Sequence, residues 1–217
     1  MGVQRVRFPA TGEASPLLEG ELWTPDASGL VPGVVVAHPH PQRGGSMHNN
    51  VVVALCEGLH ATGMASLRFN FRGVGGSAGA HADGVGEIDD ILGALSFLAE
   101  QAGVTRHSIG LAGYSFGARV SLTTLPKAPQ VRALLCVAPP LREPVSGVGG
   151  PFLLLVGDRD PHVADGVERY ASYLPETARL QVVRGTDHFW QGYEPVLVEA
   201  ARGFFAEALA PTAECSS

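Results

Sequence analysis

The sequence predicts an α/β architecture, with a mostly parallel sheet of about eight strands and helices on both of its faces. Three observations predict it. Short runs rich in Val, Leu and Ile alternate with stretches of helical spacing. Several of the runs are apolar throughout, as strands buried on both faces are. The 217 residues contain no internal repeat and no convincing linker, so one domain is expected over 1–217.

In chain order, VQRVRF and LLEGELW alternate in polarity and read as an antiparallel strand pair. GVVVAHP (33–39) is a continuous apolar strand, and 49–61 follows with helical spacing. ASLRFNF (65–71) is the next strand, and EIDDILGALSFLAEQ (87–101) the next helix, opened by Asp89 and Asp90 where carboxylates suit the helix dipole. SIGLAGY (108–114), the helix 116–125, VRALLCVA (131–138) and PFLLLVG (151–157) come next. A helix at 163–174, the strand LQVVRG (180–185) and an amphipathic helix at 195–209 close the chain. Strands and helices at this spacing imply right-handed βαβ units.

Composition narrows the classes of function. Net charge is -6 and no Lys/Arg cluster occurs, which argues against a nucleic-acid partner. No apolar run approaches the length of a membrane span, and the N-terminus lacks the apolar stretch of a secretory signal. It begins Met-Gly, but Val6 stands where a myristoylation signal has Ser or Thr. Cys56, Cys136 and Cys215 are widely spaced and odd in number; Cys56 and Cys136 fall in apolar patterns. A reducing, cytoplasmic location and no metal site are the expectation.

The pattern Gly-x-Ser-x-Gly occurs twice, as GGSAG around Ser77 and GYSFG around Ser115. With 28 glycines the pattern alone is weak. Context separates the two serines. Ser115 ends a strand and opens a helix, the turn that lifts a nucleophilic hydroxyl above a sheet. Ser77 is followed by GAHADG instead of a helix, and its loop lacks the ending of a phosphate-binding P-loop. We read it as structural.

A serine hydroxyl needs a base to take its proton and an acid to orient that base. Such groups gather past the C-terminal ends of parallel strands. Asp158 and Asp160 follow PFLLLVG, and Asp187 and His188 follow LQVVRG. Only His162 and His188 lie beyond the candidate acids, and His162 shares a loop with Asp160. Position and elimination therefore favour His188 as base.

GYSFG, GDRDPHV and GTDHFW together resemble the elbow, acid loop and histidine loop of the α/β-hydrolases. HPHPQRGGSMHNN (38–50) and RFNFRGVGGS (68–77) narrow the resemblance to small bacterial members without a cap domain, similar in plan to dienelactone hydrolases. Those carry cysteine where this chain has Ser115, so their substrate is not implied. The resemblance implies Ser115 as nucleophile, His188 as base, and Asp160, three residues before Val163, as the acid, with Asp158 supporting its loop. It implies an oxyanion hole from the backbone N–H of Phe116 and of His40, with Gln42 the next donor and the His40 ring free to face substrate. Pro39 and Pro41 have no N–H to offer. The expected activity is cofactor-free hydrolysis of short-chain carboxylic esters, with a small-molecule ester or thioester as partner. A thioesterase and a non-catalytic binding protein are the alternatives. Gln42, Phe189 and Trp190, with the Phe116 ring, are the candidate substrate contacts.

Overall fold

Val34, Val35, Val36 and Ala37 are all fully buried, so the central apolar run has protein on both sides. The computed structural model describes residues 2–13 and 15–210; Cys215 lies outside them. The strands are β1 (Gly2–Pro9), β2 (Leu17–Thr24), β3 (Val31–Ala37), β4 (Ala65–Phe69), β5 (Val104–Tyr114), β6 (Val131–Val137), β7 (Phe152–Gly157) and β8 (Ala178–Val183). They form one sheet in the order β1-β2-β4-β3-β5-β6-β7-β8. β1 pairs antiparallel with β2, and β2 with β4. All later pairs are parallel.

Alternate strand residues feed two cores. Val34, Val36, Leu135, Val137 and Leu155 pack with α1 (Asn50–Ala61) and α5 (Glu194–Ala208). Val35, Ala37, Leu134, Cys136 and Leu154 pack on the other face with α2 (Gly86–Ala99) and α3 (Phe116–Thr124). Gly58 lets α1 and α5 meet: a Cβ there would lie 2.9 Å from the Cβ of Ala201. Cys56 and Cys136 are buried among these apolar side chains.

The structure redraws three expected elements. β3 runs Val31–Ala37, two residues earlier than expected, because Pro39 has no N–H to continue the ladder. β4 ends at Phe69 and Asn70 turns out to hold a loop, its Oδ1 accepting the Met47 N–H at 2.8 Å. The helix expected at 163–174 is only α4 (Val167–Ala171), because Gly166 takes φ 102° and breaks it from the preceding turn. No helix or strand occurs between residues 138 and 151, so nothing caps the sheet there.

Asp90 also departs from its expected role. It is fully buried and takes no part in capping the dipole. Its Oδ1 accepts from Arg72 Nη2 at 2.7 Å, and its Oδ2 accepts the Arg72 backbone N–H at 3.0 Å. Beside it Glu87, also fully buried, accepts the N–H groups of Ala82 at 2.9 Å and Gly84 at 2.8 Å. These two carboxylates pin the 70–86 loop against the head of α2.

Removing one partner of a buried pair strands the other charge. Asp90→Ala should cost about 3–5 kcal/mol in urea unfolding, and the double change Arg72→Met with Asp90→Leu should recover most of it. Equal losses in the single and double variants would show that the pair is not what fixes the loop.

Candidate active site

Ser115 sits on the turn between β5 and α3 with φ 52° and ψ -113°, a region that L-residues rarely occupy. Neighbouring backbone over-determines this geometry. The Ser115 N–H donates to Val137 O at 2.8 Å, tying the turn to β6. A Cβ on Gly113 would lie 2.7 Å from the Ala118 nitrogen, and one on Gly117 2.5 Å from the carbonyls of Ala37 and His38. Both flanking positions therefore exclude any side chain.

The structure brings Ser115, His188 and Asp160 together. Ser115 Oγ lies 3.0 Å from His188 Nε2, and His188 Nδ1 lies 2.7 Å from Asp160 Oδ2. An ionised carboxylate only accepts, so the ring proton belongs on Nδ1 and the Nε2 lone pair faces the hydroxyl. Asp160 is 2% exposed, and its second oxygen accepts the His162 N–H at 2.8 Å. Such a line can move a proton from Oγ to Nε2 while the buried carboxylate stabilises the imidazolium.

Asp158 points elsewhere: its Oδ1 accepts the Gly185 N–H at 2.8 Å, bracing the turn that carries His188. Three further groups hold that histidine loop. Tyr114 donates its hydroxyl to His188 O at 2.6 Å, and burial pushes its phenol well above the usual range, so it stays a donor. Asn50 Nδ2 donates to Phe189 O at 3.2 Å, and Asp187 Oδ1 accepts the Phe189 N–H at 2.9 Å. Tyr114 and Asn50 carry no sequence signal, because they act through contacts made 74 and 139 or more residues away.

The N–H groups of His40 and Phe116 make no hydrogen bond to another described residue, and their rings lie 5.0 Å apart. The Gln42 N–H is committed to His40 Nδ1 at 3.2 Å. The His40 ring is accordingly engaged, and it packs on Phe116 and on His81, each at 5.0 Å. Two expected wall residues are corrected. Trp190 is 0% exposed and belongs to the core beneath α5. The Phe116 ring is 3% exposed, edge-on to Phe71 at 5.7 Å. Phe189, at 65% exposure and 6.0 Å from the His188 ring, does face outward.

His38 was overlooked as a single residue. It is fully buried; its Nδ1 donates to Pro39 O at 2.6 Å and its Nε2 accepts the Phe71 N–H at 3.0 Å. It thus clamps the loop after β3 to the loop after β4. Ser77 is structural in the same sense, donating to Asn70 O at 2.7 Å and accepting the Glu19 N–H at 3.0 Å. Among the described residues, Asp160, His162 and His188 form a group that could hold a metal ion, with one ligand atom from each within 4.8 Å of the others. Asp160 and His188 already bond each other there.

Comparison with known proteins supplies the family. The model of a family described as Serine aminopeptidase, S33, matches residues 34–156, a span that holds Ser115 and ends before Asp160 and His188. An uncharacterized protein of Rickettsia prowazekii is 33% identical, over 74% of this chain and 72% of that one. The fold is similar to an α/β serine hydrolase without lid from Xanthomonas campestris, at 31% identity, TM-score 0.80 and 98% coverage of both chains. It is also similar to an α/β serine hydrolase homologue from Coxiella burnetii, at 30% identity and TM-score 0.77, covering 91% of this chain and 96% of that one.

Burial holds the His38 pKa down to about 4, against which its bond to Pro39 O works only partly. Its folded pKa lies below the unfolded value of about 6.5, so the unfolded chain binds more protons between the two. Stability should therefore fall as pH drops from about 6.5 towards about 4. His60, held to about 4 mainly by burial, adds to the same slope. His38→Gln should flatten the slope of unfolding free energy against pH in this window. An unchanged slope would mean that His38 is charged in the fold.

Proposed function

The chain belongs to the α/β-hydrolase superfamily of serine hydrolases, and from that premise we propose that it hydrolyses short-chain carboxylic esters. Ser115 is the nucleophile, His188 the general base, and Asp160 the acid that orients it. The observation that carries the reading is the unbroken line from Ser115 Oγ through His188 to a buried Asp160, on a turn strained to φ 52°.

The steps follow from that line. His188 Nε2 takes the Ser115 proton as Oγ bonds to the acyl carbon, and the carbonyl electron pair moves onto oxygen. The N–H groups of Phe116 and His40 receive this oxyanion. As the intermediate collapses, the Nε2 proton goes to the departing alkoxide and alcohol leaves. Water then attacks the acyl-enzyme, giving its proton to Nε2, and Oγ recovers that proton as the acid departs. A thioester reacts through the same acyl-enzyme.

The family description carries an aminopeptidase, which has to bind a free amino group. Arg43 and Arg119 instead contribute to the lowered pKa of His40, after burial and His81 and against Asp83. Two arginines near His40 do not suit an ammonium, which favours the ester reading.

Ser115→Ala should lose about six orders of magnitude in kcat and all labelling by a fluorophosphonate, whereas Ser77→Ala should still label. Asp160→Asn should cost about 10⁴-fold, since an amide can hold the wrong tautomer, while Asp158→Asn should act mainly on melting temperature. A folded, fully active Ser115→Ala would end the mechanism, and a wild-type protein that labels with nothing would favour a binding protein.

With no helix in 138–151 and Trp190 buried, Phe189 is the one expected aromatic left exposed near His188. Little apolar surface is then available to a long chain, and each exposed CH₂ forgoes part of its roughly 0.8 kcal/mol. Across p-nitrophenyl esters, kcat/KM should peak at short acyl chains and pass the micelle point without a jump. A maximum at long chains would reveal an acyl tunnel.

A further inference from the structure

A groove of about 580 Å³ lies between α3 and the segment that follows β6. One wall is Arg119, Leu122, Thr123 and Pro126. Arg119, Leu122 and Thr123 share one face of α3, the helix that the Ser115 turn opens. The other wall is Pro140 to Ser146. It leaves the C-terminal end of β6, beside the Val137 carbonyl that holds the Ser115 N–H. The groove therefore lies between the two segments that continue from the Ser115 turn and from the strand end bound to it.

Its apolar lining comes from Leu122, Pro126, Leu141 and Val145, and its charge from Arg119, Arg142 and Glu143. Among the described residues, arginine ion pairs join Arg68 to Glu21, Arg72 to Asp90, Arg169 to Asp165, Arg179 to Glu207 and Arg202 to Glu199. Neither arginine of the groove is in that set. The Arg119 guanidinium instead lies over the Phe116 ring at 5.2 Å, with one distant contact, 3.5 Å, to the Asp83 carbonyl. It is half-buried and, among the described residues, without an anionic partner, and it packs on the residue whose N–H is the proposed oxyanion donor. Guanidinium is the side chain suited to fork onto a carboxylate.

We propose that this groove selects esters that carry a carboxylate, and that Arg119 is its anchoring cation, with Arg142 lending charge from the opposite wall. The inference rests on the ester-hydrolase reading above and names its substrate class. The lowered pKa of His40, to which Arg119 contributes after burial, His81 and Arg43, agrees with a cation close to the reacting carbonyl.

The carboxylate can belong to the acyl part or to the alcohol part, and two substrate pairs separate these. Monomethyl adipate is compared with methyl hexanoate, and carboxymethyl butyrate with propyl butyrate. In at least one pair the charged ester should have a kcat/KM about 10-fold above its neutral partner, the scale of one charge-assisted contact. The ratio should shrink as ionic strength rises from about 0.01 to about 0.3 M. Arg119→Gln should bring it towards one, and Arg119→Lys should keep part of it, which a purely structural role would not do. Titration calorimetry of Ser115→Ala with the two charged esters reads binding without turnover. Ratios of one in both pairs, with neutral esters cleaved, overturn the inference and leave the esterase reading standing. Tight, Arg119-dependent binding with no ester cleaved would support the anion site and sink the esterase reading. The absence of both binding and a ratio above one overturns the inference outright.

Discussion

The site depends on one backbone turn. Ser115 can stand above the sheet only because β5 ends and α3 begins within a single residue held at positive φ. That conformation costs on the order of 1–3 kcal/mol and persists only where its surroundings leave no alternative. Here they leave none. Gly117 lies against the carbonyls of Ala37 and His38, Gly113 against the first turn of α3, and the Ser115 N–H is bound by β6. The strand order 3-5-6 is what supplies these neighbours, since β3 and β6 flank β5 directly. The same order sends the loops after β3, β6, β7 and β8 to one edge of the sheet, where His40, Asp160 and His188 are delivered.

Around that turn polar groups, most of them buried, each tie one loop to another. His38 joins the loops after β3 and β4. Glu87, with Arg72 and Asp90, secures the loop between β4 and α2. Tyr114 and Asn50 secure the loop after β8. A buried polar group left unpaired costs about 1–3 kcal/mol, so each such residue specifies its loop conformation by the penalty attached to every other. Loops on a sheet edge have little apolar area of their own, and hydrogen bonds do here what side-chain packing does in the core.

The distinction also explains what was legible in the sequence. All eight strands were readable because apolar runs and their spacing are local signals, and Ser115 was separable from Ser77 by its flanking strand and helix. Asp160 needed more than spacing, since Asp158 sits closer to the end of β7; only the path of the side chains places one at His188 and the other at Gly185. Trp190 and Phe116 were misjudged for a single reason. Position in a loop or at a helix start says which elements a residue joins, but not which way its ring turns, and both rings turn into the cores. Asp90, taken as a helix-end charge, pairs with an arginine eighteen residues earlier, a contact that no periodicity encodes.

The lack of a cap over residues 138–151 sets the terms on which such a site can work. Enzymes that close over a substrate expel water and so strengthen every charge interaction within. An open edge keeps a high effective dielectric, where a unit charge pair at 4 Å is worth about 1–4 kcal/mol, far below its value in a dry interior. In the proposed mechanism, catalytic power comes from groups already fixed and already dry before the substrate arrives. Asp160 is such a group, buried and bonded at both oxygens, and so is the strained turn that aims Oγ. The exposed parts of the cleft are left with the weaker task of choosing among substrates. In a wet setting that choice rests on full charges and forked hydrogen bonds more than on small differences in apolar fit.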